Sequence, residues 1–366
     1  MQIMKKSMNI SKIGILSIVF LLSSFIFAGN EDRSGSAGAT QLLINPWSRS
    51  SSLGDANVAN SMGLEATFTN IAGLAQTDKT QLKFNFTNWL GSAGIPFYSA
   101  GIAQRISSSS VLALSVQSLS FGSLSITTAD NPDAGIGTFS PKMSIINLGY
   151  AKSFTTAISG GINFKVLSES ISNVSSTGIA VDAGIKYVTG KLDRLKMGIT
   201  LKNIGSPMTM TGDGFRSQVT IPSLTELVTR EQISQKYELP SMMSMGVSYD
   251  ILNDTTVKNK LTAVFAFTAN SFSNDQYRFG LDYLFNPGFA AFNIRGGYVY
   301  EKNLLSSEDR TNALTGVTAG MSVDLISRRT TVEGVKKETA VGFEYAVRMS
   351  NPFGLIHTFG VSISLK

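Results

Sequence analysis

From Gln81 to the C-terminus, apolar and polar side chains alternate within one short segment after another. In the segment AISGGINFKVL, Phe164 and Val166 share an apolar face, whereas Lys165 lies on the opposite face. Successive side chains of a β-strand point to opposite faces, so a period of two predicts strands that have one apolar face. This pattern restricts the fold class to all-β.

Fourteen such segments can be drawn, and most approach the ~9–11 residues that a tilted strand needs to cross a bilayer. An even number of strands lets both ends of a barrel wall lie on the same side of the membrane. We therefore predict a transmembrane antiparallel β-barrel of about 14 strands within residues 81–366. The predicted strands are 81–90, 96–106, 111–121, 142–154, 157–167, 179–188, 195–204, 241–251, 261–269, 276–285, 291–300, 314–325, 338–347 and 357–365.

Alternation also fits a soluble sandwich with its apolar face turned inward, and the connections separate the two interpretations. Connections after the second, fourth and sixth segments are short, whereas several others are long and all leave the same side of the wall. Outer-membrane barrels have this asymmetry, although residues 326–337 form a medium-length connection on the short side. The long connections are 122–141, 168–178, 205–240 and 301–313.

The polar face of the predicted strands carries charges that suit a hydrated or plugged lumen. Charged residues make up only 15% of the chain, against about 25% in a soluble domain. Those on the polar face are Lys165, Asp182, Lys186, Lys202, Asp250, Arg278, Asp282, Arg295 and Glu344.

Aromatic residues lie near the ends of several predicted strands, where a membrane barrel has its interfacial girdles. Any one of them could be an ordinary strand aromatic, but as a set they favour a girdle. They are Trp89, Tyr187, Tyr249, Tyr298, Tyr300 and Tyr345.

The first 28 residues have the layout of a secretory signal peptide: lysines, an apolar stretch over 13–27, and the small residue Ala28. A membrane anchor is the alternative, but the apolar stretch is shorter than the ~20 residues of a spanning helix. The chain contains no cysteine, which excludes a lipoprotein and a disulfide-stapled domain. We expect an exported protein of the Gram-negative outer membrane that crosses the membrane many times.

Residues that could carry catalysis or bind a cofactor are scarce. His357 is the only histidine, and without cysteine the sequence excludes Cys-His nucleophiles and His/Cys metal clusters. The motifs DNPDAG and TGDG lack the ligand spacing of a calcium loop and are typical of turns. No glycine loop fits a phosphate, and no clustered basic face fits a nucleic acid. We predict a non-enzyme without cofactor, metal or nucleic-acid partner.

One long connection has a helical pattern. In residues 223–237, Ser223 and Glu226 form a capping box ahead of a loose apolar stripe, which predicts a short helix on the long-loop side. Such a helix could cover the barrel rim, or it could act as a gate or as a docking element for a partner. The stripe consists of Leu224, Leu227, Val228 and Ile233.

Residues 52–76, SLGDANVANSMGLEATFTNIAGLAQ, show no alternation and are rich in Gly, Ala and Asn. Glycine allows tight turns and close packing, and short polar side chains can meet the inward charges of a barrel. We predict a signal peptide over 1–28, a hatch over 29–80 that folds into the barrel mouth, and the barrel itself over 81–366. The candidate hatch residues for a structural or gating role are Arg49, Gly54, Asp55, Asn70, Gly73 and Leu74.

The hatch region also carries a family resemblance. The run GSAGATQLLINPWSRSSSLGDANVAN and the close EATFTNIAGLAQ resemble the N-terminal signature of the PorV/PorQ family. The matching positions are Leu42 to Ile44 with Pro46, Ser48 and Arg49, then Leu53 to Ala59, then Asn70 to Leu74. The likeness continues through GIGTFSPK, YAKSF and the ELP before the eighth strand.

The resemblance implies a barrel similar to the FadL long-chain fatty-acid transporters, with fourteen strands and an N-terminal hatch. It also implies a component of type IX protein secretion in Bacteroidetes-like bacteria, with the translocon, cargo or attachment-complex subunits as protein partners.

Two other functions remain open: transport of hydrophobic small molecules across the outer membrane, and a purely structural barrel. Transport predicts an apolar lumen pocket of roughly 300–1,000 Å³. Docking predicts an apolar patch on the loops and a lumen filled by charged pairs.

Overall fold

The structure is a computed structural model that describes residues 29–133, 135–220, 227–253, 259–306, 310–330 and 336–365. The predicted signal peptide over 1–28 therefore lies outside the described residues. Among the described residues, no helix has the length and hydropathy needed to cross a membrane.

Fourteen long strands form the wall of a barrel, as the alternating segments predict. Most begin or end within a few residues of the predicted positions. The strands are β1 (Thr80–Trp89), β2 (Ile95–Arg105), β3 (Ser110–Ser120), β4 (Lys142–Ser153), β5 (Ile158–Ile171), β6 (Val174–Thr189), β7 (Leu195–Gly205), β8 (Met242–Asn253), β9 (Lys260–Asn270), β10 (Gln276–Phe285), β11 (Ala290–Glu301), β12 (Gly316–Thr330), β13 (Lys336–Ser350) and β14 (Gly354–Leu365).

Each strand pairs antiparallel with its neighbours in the chain, and the last strand closes on the first. In that closing pair, Thr80 lies opposite Leu365 and Asn88 opposite His357. Closure removes the free edges that an open sheet would expose. The predicted all-β, 14-strand antiparallel barrel is confirmed.

The apolar face of each strand points away from the lumen. On β6, Ile185 is 61% exposed while the adjacent Lys186 is fully buried. On β11, Ile294 and Arg295 show the same contrast. A soluble sandwich would reverse this arrangement, so the outward face is the one that contacts lipid in a barrel of the outer membrane.

One predicted long connection is absent because the strands continue through it. Residues 168–178 extend the hairpin of β5 and β6, with Ser168 opposite Thr177 and Ile171 opposite Val174. A two-residue turn at Ser172 joins the strands, and its φ of 52° is left-handed. The serine-rich sequence resembles a loop, but antiparallel pairing of the two strands continues through it to the turn.

The other long connections carry small hairpins of their own. Leu124–Ile126 pairs with Gly137–Phe139 after β3. Arg216–Thr220 pairs with Leu227–Glu231 after β7. Both hairpins lie on the long-loop side, which is the outer side of an outer-membrane barrel.

The predicted helix over 223–237 is wrong. Ser223, Leu224 and Glu226 lie outside the described residues, but Leu227 and Val228 belong to a strand. Val228 pairs with Val219, both β-branched, and Leu227 pairs with Thr220, so the segment forms stabilising cross-strand pairs. These pairs outweigh the local capping signal, because helix propensity is a weak prior.

Residues 29–79, here called the hatch, pass through the lumen from the outer side to the inner side. Near their start, the Asn30 amide donates to the carbonyl of Asn270, at the outer end of β9. Their end leads into β1 at Thr80, on the short-turn side. The hatch contains α1 (Ser48–Ser52) and the 3-10 turns Glu31–Arg33, Thr40–Leu43, Asn57–Ala59, Gly63–Thr67 and Ile71–Gln76. Further 3-10 turns, Gly91–Ala93, Lys191–Asp193 and Asp213–Phe215, lie in connections.

Candidate functional site

Ten wall glycines, each on a different strand, face the hatch at close range. A Cβ added at Gly184 would lie 2.1 Å from the Asn70 side-chain oxygen, and one at Gly246 would lie 2.8 Å from Val58 Cβ. Glycine in a strand interior marks a place where another backbone approaches closely. These residues, here called the glycine seat, are Gly101, Gly149, Gly161, Gly184, Gly198, Gly246, Gly280, Gly297, Gly320 and Gly360.

Members of the seat face each other across neighbouring strands. Gly161 is paired with Gly184, and Gly280 with Gly297. At these positions the wall has no side chains on its inner surface, so the hatch backbone packs directly on the sheet. The hatch therefore fits the wall as an integral part of the core.

Asn70 anchors one side of the hatch. Its side-chain amide donates to the carbonyl of Val58 at 3.0 Å and to the wall carbonyl of Ile185 at 3.2 Å. Its side-chain oxygen accepts from the Ala72 amide at 3.1 Å and so caps the turn that follows. Asn70 thereby joins the hatch backbone to β6.

Gly73 and Leu74 lie in the same turn as Asn70. A Cβ on Gly73 would be 2.2 Å from the Ser61 carbonyl oxygen, so only glycine allows this approach within the hatch. Leu74 is fully buried against Gly149 of β4. The apolar cluster around it consists of Trp47, Leu64, Ala66, Phe68, Ile71, Leu74, Ala75, Ala103, Val111, Ala113 and Ala151.

Arg49 links the hatch to the wall by charge. Its guanidinium pairs with Glu65 of the hatch and, at 3.1 Å, with Asp282 of β10. Arg295 of β11 pairs with the other oxygen of Asp282, also at 3.1 Å. Burial alone would lower the pKa of Arg49, but the charges of the two carboxylates outweigh it and raise the pKa, so this residue stays cationic.

Asp55 forms a second charged link. Gly54 and Asp55 both adopt left-handed φ values, 61° and 63°, and this turn aims the carboxylate at the wall. Asp55 pairs with Arg348 of β13 at 2.9 Å and with Arg278 of β10 at 3.5 Å. It also accepts a hydrogen bond from Asn45.

The ionised form of Asp55 is favoured. Burial opposes ionisation, but the charges of Arg348 and Arg278 and the hydrogen bond from Asn45 outweigh it and lower the pKa. Two strands thus hold the hatch through one carboxylate.

The remaining inward charges are mostly paired within the wall. Lys165 lies 2.6 Å from Asp182, and Lys83 lies 2.9 Å from Glu344. Asp250 binds both Lys196 and Lys260. Lys186 instead donates to the hatch, to the Ser61 carbonyl at 3.1 Å and the Gln76 side chain at 2.8 Å. Buried charges need such partners, because the lumen wall shields them from water.

A cavity of about 460 Å³ with a mixed polar and apolar lining lies in the lumen on the inner side of the hatch. Charged side chains surround it, including Arg49, Glu65, Lys83, Lys260 and Asp282. A far smaller cavity of about 40 Å³ lies on the outer side of the hatch. Both contrast with the apolar lumen pocket expected of a ligand-loaded transporter.

An apolar groove of about 530 Å³ lies on the lipid-facing surface of the barrel. Outward aromatic side chains of β8 to β11 border it, and Gly296 leaves room at its centre. Gly280 and Gly297 of the glycine seat also line it, so the wall between the groove and Leu53 of the hatch consists of backbone. The bordering aromatics are Tyr249, Phe265, Phe279 and Tyr298.

The predicted girdle residues sit toward the strand ends. Trp89 ends β1 on the outer side, and Tyr187 is near the inner end of β6. Tyr298 and Tyr300 are on the outer half of β11. Tyr345 differs, because its hydroxyl contacts Nδ1 of His357 at 2.8 Å. This contact pairs His357 of β14 with an aromatic residue of the preceding strand, β13.

The predicted docking residues are apolar and open to solvent. Ile233 is 89% exposed, and Leu227 and Val228 are also exposed on the outer hairpin. They lie on the outer connection after β7 and the hatch residues lie in the lumen, so the structure does not bring the two predicted groups together. Among the described residues, no group of three His, Asp or Glu side chains is placed to hold a metal.

Two residues of the charged links are absent from the sequence prediction. Arg348 lies one residue beyond the predicted end of its strand, although alternation extended by one residue would have placed it inward. Glu65 lies in the hatch, where no periodicity indicates which side chains face one another. Only the three-dimensional packing of the hatch brings it to Arg49.

Together, the closed wall, the outward apolar face and the seated hatch define a hatch-plugged β-barrel of the outer membrane. No protein-family profile and no curated protein matches the sequence. Solved structures of transporter and channel barrels match it.

The toluene transporter TbuX of Ralstonia pickettii has a TM-score of 0.51 at 12% identity, over 88% of this chain and 97% of that one. A TodX deltaS2S3 mutant monoaromatic hydrocarbon channel has a TM-score of 0.50 at 9% identity, over 87% and 97%. A Pseudomonas aeruginosa FadL homologue has a TM-score of 0.44 at 12% identity, over 86% and 96%. The first two likenesses show that this chain has the FadL-like fold.

Proposed function

We propose that this chain is a hatch-gated channel that admits hydrophobic small molecules through the outer membrane. The observation that supports the proposal is the barrel fold, which is similar to that of a toluene transporter and of a monoaromatic hydrocarbon channel. Fold alone does not determine function. The path of a hydrophobic molecule through this barrel depends on the hatch.

The hatch packs on the inner surface of the wall at ten glycines, so passage at this level requires the hatch to shift. Two charged links at Arg49 and Asp55 connect the hatch to the wall. On the inner side, a cavity of about 460 Å³ is already present, within the range of small-molecule sites. A shift of the hatch would join this cavity to the outer side.

A covalent cross-link between the hatch and the wall tests whether the hatch moves. The chain has no native cysteine, so the introduced cysteines are the only thiols. Ser48 of the hatch and Asn85 of β1 contact each other through their side chains at 2.5 Å. In a Ser48→Cys/Asn85→Cys variant, oxidation joins the two thiols in a disulfide. A short thiol-specific cross-linker joins them where the disulfide does not form.

Toluene uptake by cells carrying this variant should fall on cross-linking and recover on reduction. Each single-cysteine variant is the control and should respond to neither treatment. Uptake that is equal in the closed and reduced states would refute a moving hatch.

A second candidate function is favoured by the outer hairpin. Leu227, Val228 and Ile233 are exposed apolar side chains of the outer connection after β7, and charged pairs line the lumen. These are the two features expected of a docking barrel. Together with the PorV/PorQ-like signature, they support a role in type IX secretion through binding of translocon, cargo or attachment subunits.

Gentle detergent purification of the tagged protein from its own outer membrane tests docking. Mass spectrometry should find a secretion subunit or cargo at near-stoichiometric amount. A Leu227→Ser/Val228→Thr/Ile233→Ser variant should lose it, whereas Leu124→Ser on the other exposed hairpin should keep it. If the purified barrel instead contains hydrophobic molecules and no protein partner, docking is refuted and transport is supported.

A further inference from the structure

An enclosed cavity on the outer side of the hatch has an unusual charge balance. Its volume is about 40 Å³, and its lining includes three cationic side chains from three different wall strands. These are Lys202 of β7, Arg278 of β10 and Arg348 of β13. Asp55 of the hatch is the only carboxylate among the lining residues.

Lys202 is the least satisfied of the three cations. The residue is 4% exposed, and its Nζ lies 3.9 Å from the centre of the Phe68 ring of the hatch. Within the described part of the chain, no acceptor or carboxylate is within bonding distance of this ammonium. An ammonium has three protons to donate, and a cation–π contact uses only part of that capacity.

The two arginines share one carboxylate. Asp55 accepts a hydrogen bond from Arg348 at 2.9 Å and forms an ion pair with Arg278 at 3.5 Å. The Nε atoms of both arginines are buried and have no acceptor among the described residues. Among the residues that line the cavity, one carboxylate therefore faces three cationic side chains.

Nearby carboxylates are already engaged. Asp182 lies 2.6 Å from Lys165. Glu301 accepts from Gln276 at 2.9 Å and from Thr311. Glu301 keeps its negative charge, because Gln276 and Thr311 are neutral donors, but it is not among the residues that line the cavity. A buried ammonium without an acceptor is unfavourable, so a negative group beside Lys202 would be stabilised there.

The size of the cavity limits what that group can be. One water needs about 10–15 Å³ of such space, so about 40 Å³ admits a water or a small ion. A drug-sized molecule needs roughly 300 Å³ or more. Water can accept the hydrogen bonds but supplies no charge.

We propose that this cavity binds one chloride-sized monovalent anion, held by Lys202, Arg278 and Arg348. The anion completes the charge balance between the hatch and three strands of the wall. The site lies on the opposite side of the hatch from the large cavity, and it stands independently of the transported molecule.

Bromide provides a direct probe, because its anomalous scattering distinguishes it from water. Crystals of the full mature barrel equilibrated with sodium bromide should show an anomalous peak between Lys202 and the two arginines. A Lys202→Met variant should lose the peak. An ordered cavity without anomalous signal in the wild type would overturn the proposal, and so would a peak that persists in the variant.

Thermal unfolding in detergent gives a second test that needs no crystal. At equal ionic strength, chloride or bromide should raise the wild-type midpoint over gluconate, which is too large to enter, by on the order of 2–4 °C. Lys202→Met should remove this difference, whereas Lys260→Met, at the large cavity, should retain it. Identical midpoints in halide and gluconate for the wild type would contradict a halide site.

Discussion

Asp55 and Arg348 lie 2.9 Å apart although 293 residues separate them in the chain. The first is in the hatch and the second near the outer end of β13, so this pair joins the two ends of the folded chain. Arg278 shares the same carboxylate at 3.5 Å. The hatch is thus held by long-range charge pairing as well as by apolar packing.

Replacing Asp55 by asparagine should destabilise the barrel strongly. The change leaves Arg348 and Arg278 buried without their carboxylate, and breaking a buried pair from one side costs about 3–5 kcal/mol. Denaturant unfolding of the detergent-solubilised protein measures the loss. The matched control is Asp213→Asn, whose partner Arg216 is exposed and whose loss should cost at most about 1 kcal/mol. Equal effects of the two substitutions would refute the link.

The same substitution should show a defined pH dependence. Because the folded-state pKa of Asp55 is lowered, its stabilising contribution is fully present above its unfolded pKa of about 3.9. That contribution is lost as the pH falls through the lowered folded pKa. The stability difference between wild type and Asp55→Asn should therefore be constant above about pH 5 and shrink in stronger acid. Unfolding measured over a pH series checks this, and a difference that grows with acid would contradict the assignment.

Alanine at Gly184 should disturb the hatch. The added methyl would fall 2.1 Å from the Asn70 side chain, so the side chain or the hatch must move. Overpacking of this kind costs about 1–3 kcal/mol. Gly296→Ala is the matched control, because that position faces outward and an added Cβ would lie 4.0 Å from the carbonyl oxygen of Thr318. The midpoints of thermal unfolding of the two variants are compared. If Gly184→Ala leaves the midpoint unchanged, the hatch does not pack tightly on Gly184.

Replacing Arg49 by methionine should weaken the closure of the barrel. Glu65 would lose its cationic partner, and Asp282 would retain only Arg295. We expect a rise in ion conductance across planar bilayers, together with a stability loss of about 3–5 kcal/mol. Arg216→Met on the exposed hairpin is the control and should conduct like the wild type. Unchanged conductance in a correctly inserted Arg49→Met variant would show that Arg49 does not hold the hatch closed.

The wall was predictable because alternation is a local signal that lipid and lumen impose on every strand. All fourteen strands follow it, and so do inward charges such as Asp282 and Arg295. The signal weakens where both faces are polar, which is why the extension of β5 and β6 through Ser172 looked like a loop. Val228 and Thr229 became a strand because Val219 lies opposite, information that a helical capping pattern does not contain.

The hatch was predictable only as a region without periodicity. Its contacts depend on the register of distant strands, so the partners of Asp55 and Glu65 could not be read from spacing. The glycine seat shows the same limit. Gly184 and Gly198 interrupt an alternating pattern in the sequence, and their shared proximity to Asn70 appears only when the wall has closed.

The glycine seat has a consequence for the order of biogenesis. The hatch precedes β1 in the chain, and the wall closes only when β14 pairs with β1. Because ten strands lack an inner side chain where the hatch lies, the hatch and the sheet complete each other's surface. We therefore expect the hatch to lie against the sheet before β14 pairs with β1. Insertion of the hatch into an already closed barrel is not expected.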